Sequence, residues 1–188
     1  MNLSPAKHEI LEALFLQEKP VKAVQLAKEL GKDFPPVMMH LLGLTRMGYA
    51  VSPEKGYYVI SEEGKKTLGL PEVTRKKALE ILAQKPWEKG FHFYAGIGKP
   101  LNLYANDLLD FCNKLAKVNV DAVEFHMERG DFEAWFTSLG DAELAKKAGL
   151  LKKKKLKSEE LRRRLFEAAQ GRCIELSKIV GESAAPST

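Results

Sequence analysis

The sequence predicts a mainly α-helical chain with a small β-hairpin: an N-terminal helix–helix–helix–hairpin–helix unit and a C-terminal helical domain. Three observations predict it. Apolar residues recur at helical spacing through most of the 188 residues, one pair of short β-favouring runs brackets a glycine turn, and the pattern breaks near Pro86-Trp87. The expected division is 1–70 for the first unit, 71–86 for a connecting helix, 87–180 for the helical domain and 181–188 for a disordered tail. The tail reads GESAAPST, a composition that buries nothing.

The first helix is announced by Ser4 as cap and Pro5 at the first helical position, with Ile10, Leu11, Leu14 and Phe15 forming its stripe. Glu18-Lys19-Pro20 breaks it. A second helix places Val24, Ala27 and Leu30 inward and stops at Gly31. The third, DFPPVMMHLLGLTRMG over 33–48, has Asp33 as cap, Pro35 in its first turn and Gly48 as stop. Tyr49–Ser52 and Tyr57–Ile60 flank Pro53-Glu-Lys-Gly56 as a hairpin, and Ser61-Glu62-Glu63 caps a short closing helix. This order is the layout of a winged helix-turn-helix.

Residues 4–70 resemble the winged-helix domains of MarR- and ArsR-type and related archaeal regulators. The carriers are Val24-x-x-Leu-Ala-Lys-Glu-Leu30, Leu44-x-x-Met-Gly-Tyr49, Lys55-Gly-Tyr-Tyr-Val-Ile-Ser61 and Glu63-Gly-Lys-Lys66. The resemblance implies a domain that binds double-stranded DNA as a homodimer. Winged helices also serve as protein-interaction modules.

In the second half, Thr74–Lys85 reads as an amphipathic connecting helix with Ala78, Ile81 and Leu82 on one face. Phe91–Tyr94 reads as a short strand or extended entry, and Ala95–Asn102 as a glycine-containing loop. Asn106 is the expected cap of a helix burying Leu108, Cys112 and Leu115, Asp121 opens the next, and Asp131 caps a third carrying Phe132, Trp135, Phe136 and Leu139. Asp141 caps a further helix, and Ser158 starts a long one with the stripe Leu161, Leu165, Ala169, Cys173, Leu176 and Val180. Phe91-His-Phe93, Glu124-Phe-His126, Asp131-Phe-x-x-Trp135, Leu139-Gly-Asp-x-x-Leu-Ala145 and Glu159-Glu-Leu-Arg162 resemble a domain family of archaea and bacteria to which no activity is attached.

The third helix is the expected reading helix. Val37, Leu41 and Leu44 fall on its core side, leaving Pro36, Met39, His40, Gly43 and Arg46 nearer the outside. Base edges are read by paired hydrogen bonds, which here only His40, Thr45 and Arg46 can supply. Phosphate contacts fall to Lys32, Lys55 and Tyr57. The expected DNA-contacting set is thus Lys32, Met39, His40, Thr45, Arg46, Lys55 and Tyr57. The rival set, for a protein partner, is Met38, Met39 and Leu42.

Net charge is +5, spread unevenly: residues 1–85 carry 13 basic and 10 acidic side chains, 86–145 carry 5 and 10, and 146–188 carry 12 and 5. Lys146, Lys147, Lys152 to Lys155, Lys157 and Arg162 to Arg164 either follow a phosphate backbone or form a solvated helix face. His92 and His126 lie near Glu124, Glu128, Arg129 and Asp131 in sequence, but in no metal-binding spacing, and read as core histidines; Arg129 reads as the partner of a nearby acid. Gly96-Ile-Gly98-Lys99 lacks the spacing of a phosphate loop and reads as a turn. No catalytic constellation, metal site or cofactor is expected. Cys112 and Cys173 lack C-x-x-C spacing, and no apolar run nears the roughly 20 residues of a membrane span. The expectation is a cytoplasmic DNA-binding regulator with no membrane partner. Its second domain would serve dimerisation, sensing or partner contact; the rivals are a protein-interaction module and, last, an enzyme or metal protein centred on His92 and His126.

Overall fold

Helix caps and glycine stops punctuate the chain much as the sequence requires. A computed structural model describes residues 3–182, mainly helical with two small antiparallel sheets. The chain divides into two compact units at Glu72/Val73.

In the first unit, α1 (Pro5–Phe15) is capped by Ser4, whose hydroxyl accepts from the Lys7 amide. β1 (Val21–Lys22) and α2 (Ala23–Leu30) follow, and Gly31 closes α2 at φ +62°. The inward face of α2 is Ala23, Leu26 and Ala27, whereas Val24 is exposed and Leu30 half-buried. The expected stripe was thus out of phase, because the helix begins at Ala23 directly from a strand. α3 (Phe34–Arg46) buries Val37, Leu41 and Leu44. Asp33 occupies its N-cap position, but the carboxylate makes no capping hydrogen bond.

β2 (Ala50–Glu54) and β3 (Tyr57–Ile60) form the hairpin around Lys55-Gly56. β1 pairs with the far edge of β3, giving the order β1-β3-β2. α4 (Glu62–Thr67) is capped by Ser61, whose hydroxyl accepts from the Gly64 amide and donates to the Gly48 carbonyl. Gly64 is buried so tightly that a Cβ there would stand 2.2 Å from the Tyr49 carbonyl oxygen and 2.8 Å from Ile60 Cγ1.

The second unit starts with α5 (Arg75–Leu82), capped by Thr74 and packed against the last helix of the same unit. Residues 71–86 are therefore no free-standing connector: the buried faces of Ala78 and Ile81 belong to the second core. A 3-10 turn at Trp87–Lys89 leads into β4 (Phe91–Gly96) and β5 (Lys99–Ala105), an antiparallel hairpin. The loop expected over 95–102 is thus mostly strand. Its glycines and Pro100 are tolerated because a two-stranded sheet has only edges.

α6 (Leu108–Leu115) is capped by Asp107 rather than Asn106, and α7 (Val120–Arg129) by Asn119, so Asp121 already lies inside the helix. α8 (Asp131–Leu139) starts from Gly130, which takes φ +79°, and α9 (Ala142–Lys153) is capped by Asp141. α10 (Ser158–Glu182) crosses α5, α6, α7 and α9 with Leu161, Leu165, Ala169, Cys173 and Leu176 buried and Val180 half-buried. Gly181 and Glu182 continue this helix instead of opening a tail; the rest of the expected tail lies outside the described residues.

The apolar stripe of α10 also carries a buried charge. Arg172, 1% exposed, donates through Nε to both carboxylate oxygens of Asp141 (3.1 and 2.9 Å), and through one terminal nitrogen to Glu143 (2.9 Å) and Glu175 (2.8 Å). Asp141 is itself fully buried and also accepts from the Leu144 amide. Asp141→Ala leaves this guanidinium without its central partner, and we expect a loss of about 3–5 kcal/mol in denaturant unfolding. In the first unit, Gly64→Ala is expected to cost about 1–3 kcal/mol. Gly43→Ala is the control: its Cβ meets only the flexible end of Lys7, at 3.3 Å.

Candidate functional site

Two surfaces carry the residues of interest, one in each unit. On the first, the outward face of α3 is Pro35, Met39, Leu42 and Arg46, which follow one another at one-turn intervals. Met39 is 62% exposed and Leu42 40%. Arg46 is exposed at the last turn and Asp33 at the first, and among the described residues neither has an ion-pair partner.

The other members of the expected DNA-contacting set are less available. His40 is half-buried, and the Thr45 hydroxyl donates back to the Leu41 carbonyl (2.9 Å). Lys32 pairs with Glu9 (3.1 Å), while Tyr57 is half-buried beneath the Lys22 ammonium, 5.2 Å from its ring centre. Lys55 stands exposed at the hairpin turn. Met38, expected on the partner-contacting face, is half-buried and takes a hydrogen bond from the Tyr58 hydroxyl (3.8 Å). The first unit is electrostatically even: residues 1–72 carry nine basic and nine acidic side chains.

In the second unit the two histidines of interest meet on one cavity of about 550 Å³. β4 supplies Phe91, His92 and Tyr94, α7 supplies Phe125, His126 and Arg129, and α8 supplies Asp131 and Trp135. His126, 3% exposed, is held at both ring nitrogens: Nδ1–H donates to Asp131 Oδ2 (2.7 Å), and Nε2 accepts from the Tyr94 amide (2.8 Å). That pair of partners fixes the neutral tautomer. Burial pushes the His126 pKa down, Asp131 opposes this through its hydrogen bond and charge, and Arg129 adds to the lowering. The ring is a latch between β4 and the α7–α8 corner, with no nitrogen left to take a proton from a substrate.

Asp131 is not the helix cap expected. Its carboxylate faces back toward α7, accepting from His126 and from Arg129 Nε (3.1 Å). His92 donates from Nε2 to the Trp87 carbonyl (2.8 Å) and stacks on Tyr104 at 5.6 Å. Among the described residues no group of three or more His, Cys, Asp and Glu is arranged to hold a metal ion.

The basic run is largely neutralised. Lys147 is buried, Lys157 pairs with Glu128 (2.6 Å), Arg162 with Glu159, and Arg163 with Glu160 and Glu167 (2.8 Å each). The neighbouring Cys173 thiol of α10, together with burial, pushes the Cys112 thiol of α6 up; both cysteines are free. No helix among the described residues is long and apolar enough to cross a membrane. No protein-family model, curated protein or solved structure matches the chain.

The depressed His126 pKa sets a sign for pH dependence. The unfolded chain binds this proton near the ordinary value of 6.5, the folded chain only below it. Stability contributed by the neutral latch is therefore present above about pH 6.5 and lost as pH falls below it. Denaturant midpoints from about pH 7 to pH 5 should fall more steeply for the native chain than for His126→Gln.

Proposed function

We propose that residues 4–70 form a winged helix that works by contact with another protein through the outer face of α3, inside a two-unit regulator. The observation that carries this reading is the chemistry of that face: Met39 and Leu42 are bare, with Arg46 exposed at its C-terminal end and Asp33 exposed at the N-cap. Specific base reading needs paired donors and acceptors, and duplex affinity rests on cations that displace counterions from phosphates. A unit with as many acids as bases and an apolar reading helix is poorly equipped for either.

The partner that fits is an apolar helix with an acid opposite Arg46 and a base opposite Asp33. A second copy of α3 laid antiparallel supplies both, and antiparallel alignment also pairs opposite helix-dipole ends. The second reading, favoured by the exposure of Arg46 and Lys55 and by the MarR/ArsR-like pattern, is duplex DNA held through phosphates.

Sedimentation equilibrium over a concentration series, run beside a salt-titrated duplex-binding assay, separates the two. Under the first reading the chain self-associates. Leu42→Glu and Arg46→Asp each weaken the dimer roughly tenfold or more, and Asp33→Arg combined with Arg46→Asp restores it. Duplex binding tighter than about 10 μM at low salt, lost in Arg46→Ala and Lys55→Ala, would sink it in favour of DNA.

A further inference from the structure

The cavity between the β4–β5 hairpin and the α7–α8 corner has the makings of a ligand site, independent of what α3 does. Its volume, about 550 Å³, suits a small organic molecule. Its walls are planar and apolar: Phe91 and Trp135 on the floor, with Tyr94 and Phe125 beside them. Phe91 stacks on Phe132 at 5.0 Å and meets Trp135 edge-on at 5.5 Å, so the floor is a rigid aromatic platform. Ile97, at the hairpin tip, also lines the cavity while 84% exposed. A large aliphatic side chain in that position gains by covering something.

Several polar groups lining the cavity are committed, while the one cation among the described lining residues is only partly so. Both His126 nitrogens and the Tyr94 amide are used in the latch, and Asp131 accepts from His126 and Arg129. Arg129 gives only its Nε to Asp131 and lays its guanidinium over the Phe125 ring at 5.3 Å. Its two terminal nitrogens have no hydrogen-bond partner among the described residues, and the side chain lines the cavity while half in solvent. An unsatisfied guanidinium edge beside aromatic walls matches a carboxylate on a planar apolar body. Asp131 beside it already offsets part of the charge, which favours a monoanion over a phosphate dianion.

We propose that this cavity binds a small aromatic carboxylic acid, with the ring on the Phe91–Trp135 floor and the carboxylate on the terminal nitrogens of Arg129. The test is ligand-detected NMR titration of the full chain with phenylacetate and with its neutral isostere phenylacetamide. Phenylacetate should bind saturably and about tenfold tighter than the amide. Arg129→Gln should bring phenylacetate down to the amide's affinity, with thermal unfolding unchanged because the side chain is half-exposed. Ala134→Phe, which fills the cavity from the exposed side of α8, should remove both ligands. Absence of saturable binding up to about 10 mM, equal affinity for acid and amide, or binding indifferent to Ala134→Phe overturns the proposal.

Discussion

The buried guanidinium of Arg172 is the constraint on which the second unit depends. A cation taken out of water must recover its hydration energy from fixed partners, and Arg172 does so from three carboxylates on two helices. Asp141 stands at the α8–α9 corner, where Gly140 turns the chain at φ +82°. One carboxylate therefore caps α9 and anchors α10 together. Because α10 also packs on α5, α6 and α7, the ion cluster fixes where the apolar stripe of α10 lands. Hydrophobic burial supplies the stability of that stripe; the charge cluster supplies its register.

A second polar latch does for the hairpin what Arg172 does for α10. Among the described residues β4 and β5 pair only with each other, and a two-stranded sheet has little stability alone. His126 joins it to the helices by accepting the Tyr94 amide while donating to Asp131. Trp135 adds another tie, donating from Nε1 to the Lys89 carbonyl (3.0 Å). The cavity exists because these ties hold the aromatic floor open on one side: the latch sits at its edge, and the floor is filled by side chains from α6 and α8 beneath. His126, which the sequence reads as a core histidine, is thus spent on architecture, while Arg129 one turn on gives only its Nε to Asp131.

How much of this could be read beforehand follows from the range of each interaction. Ser4, Ser61, Thr74 and Asp141 cap helices within three residues of themselves, so local pattern reveals them. The β2–β3 hairpin, closed by two residues, is equally local. β1 is two residues long and defined only by its pairing with β3, which leaves no periodicity to detect. β5 was hidden by Pro100 and Asn102, which read as loop. Arg172 sits on an apolar stripe, where a charge looks like a surface position until Asp141 and Glu143 converge on it from the start of α9, 31 and 29 residues away in sequence, beside its own-helix neighbour Glu175. The cavity joins residues 91–97 to 125–135, and nothing in either segment announces the other. The signal that could have pointed to it was the pairing of Phe91-His-Phe93 with Phe125-His126, two aromatic–histidine clusters that hold two of the chain's four histidines.

Charge distribution makes the same point about function. The excess of +5 belongs wholly to residues 73–188, which carry 21 basic and 16 acidic side chains, while residues 1–72 balance. Much of the basic excess is then met by carboxylates within a few ångströms, as with Lys157, Arg162 and Arg163. A high isoelectric point invites the thought of nucleic acid, but what attracts a phosphate backbone is unpaired charge on one accessible face. On α3 that amounts to Arg46, set at the end of a surface of proline, methionine and leucine. Removing Met39 and Leu42 from water is the larger free-energy source available to that helix, and another apolar surface is what can supply it.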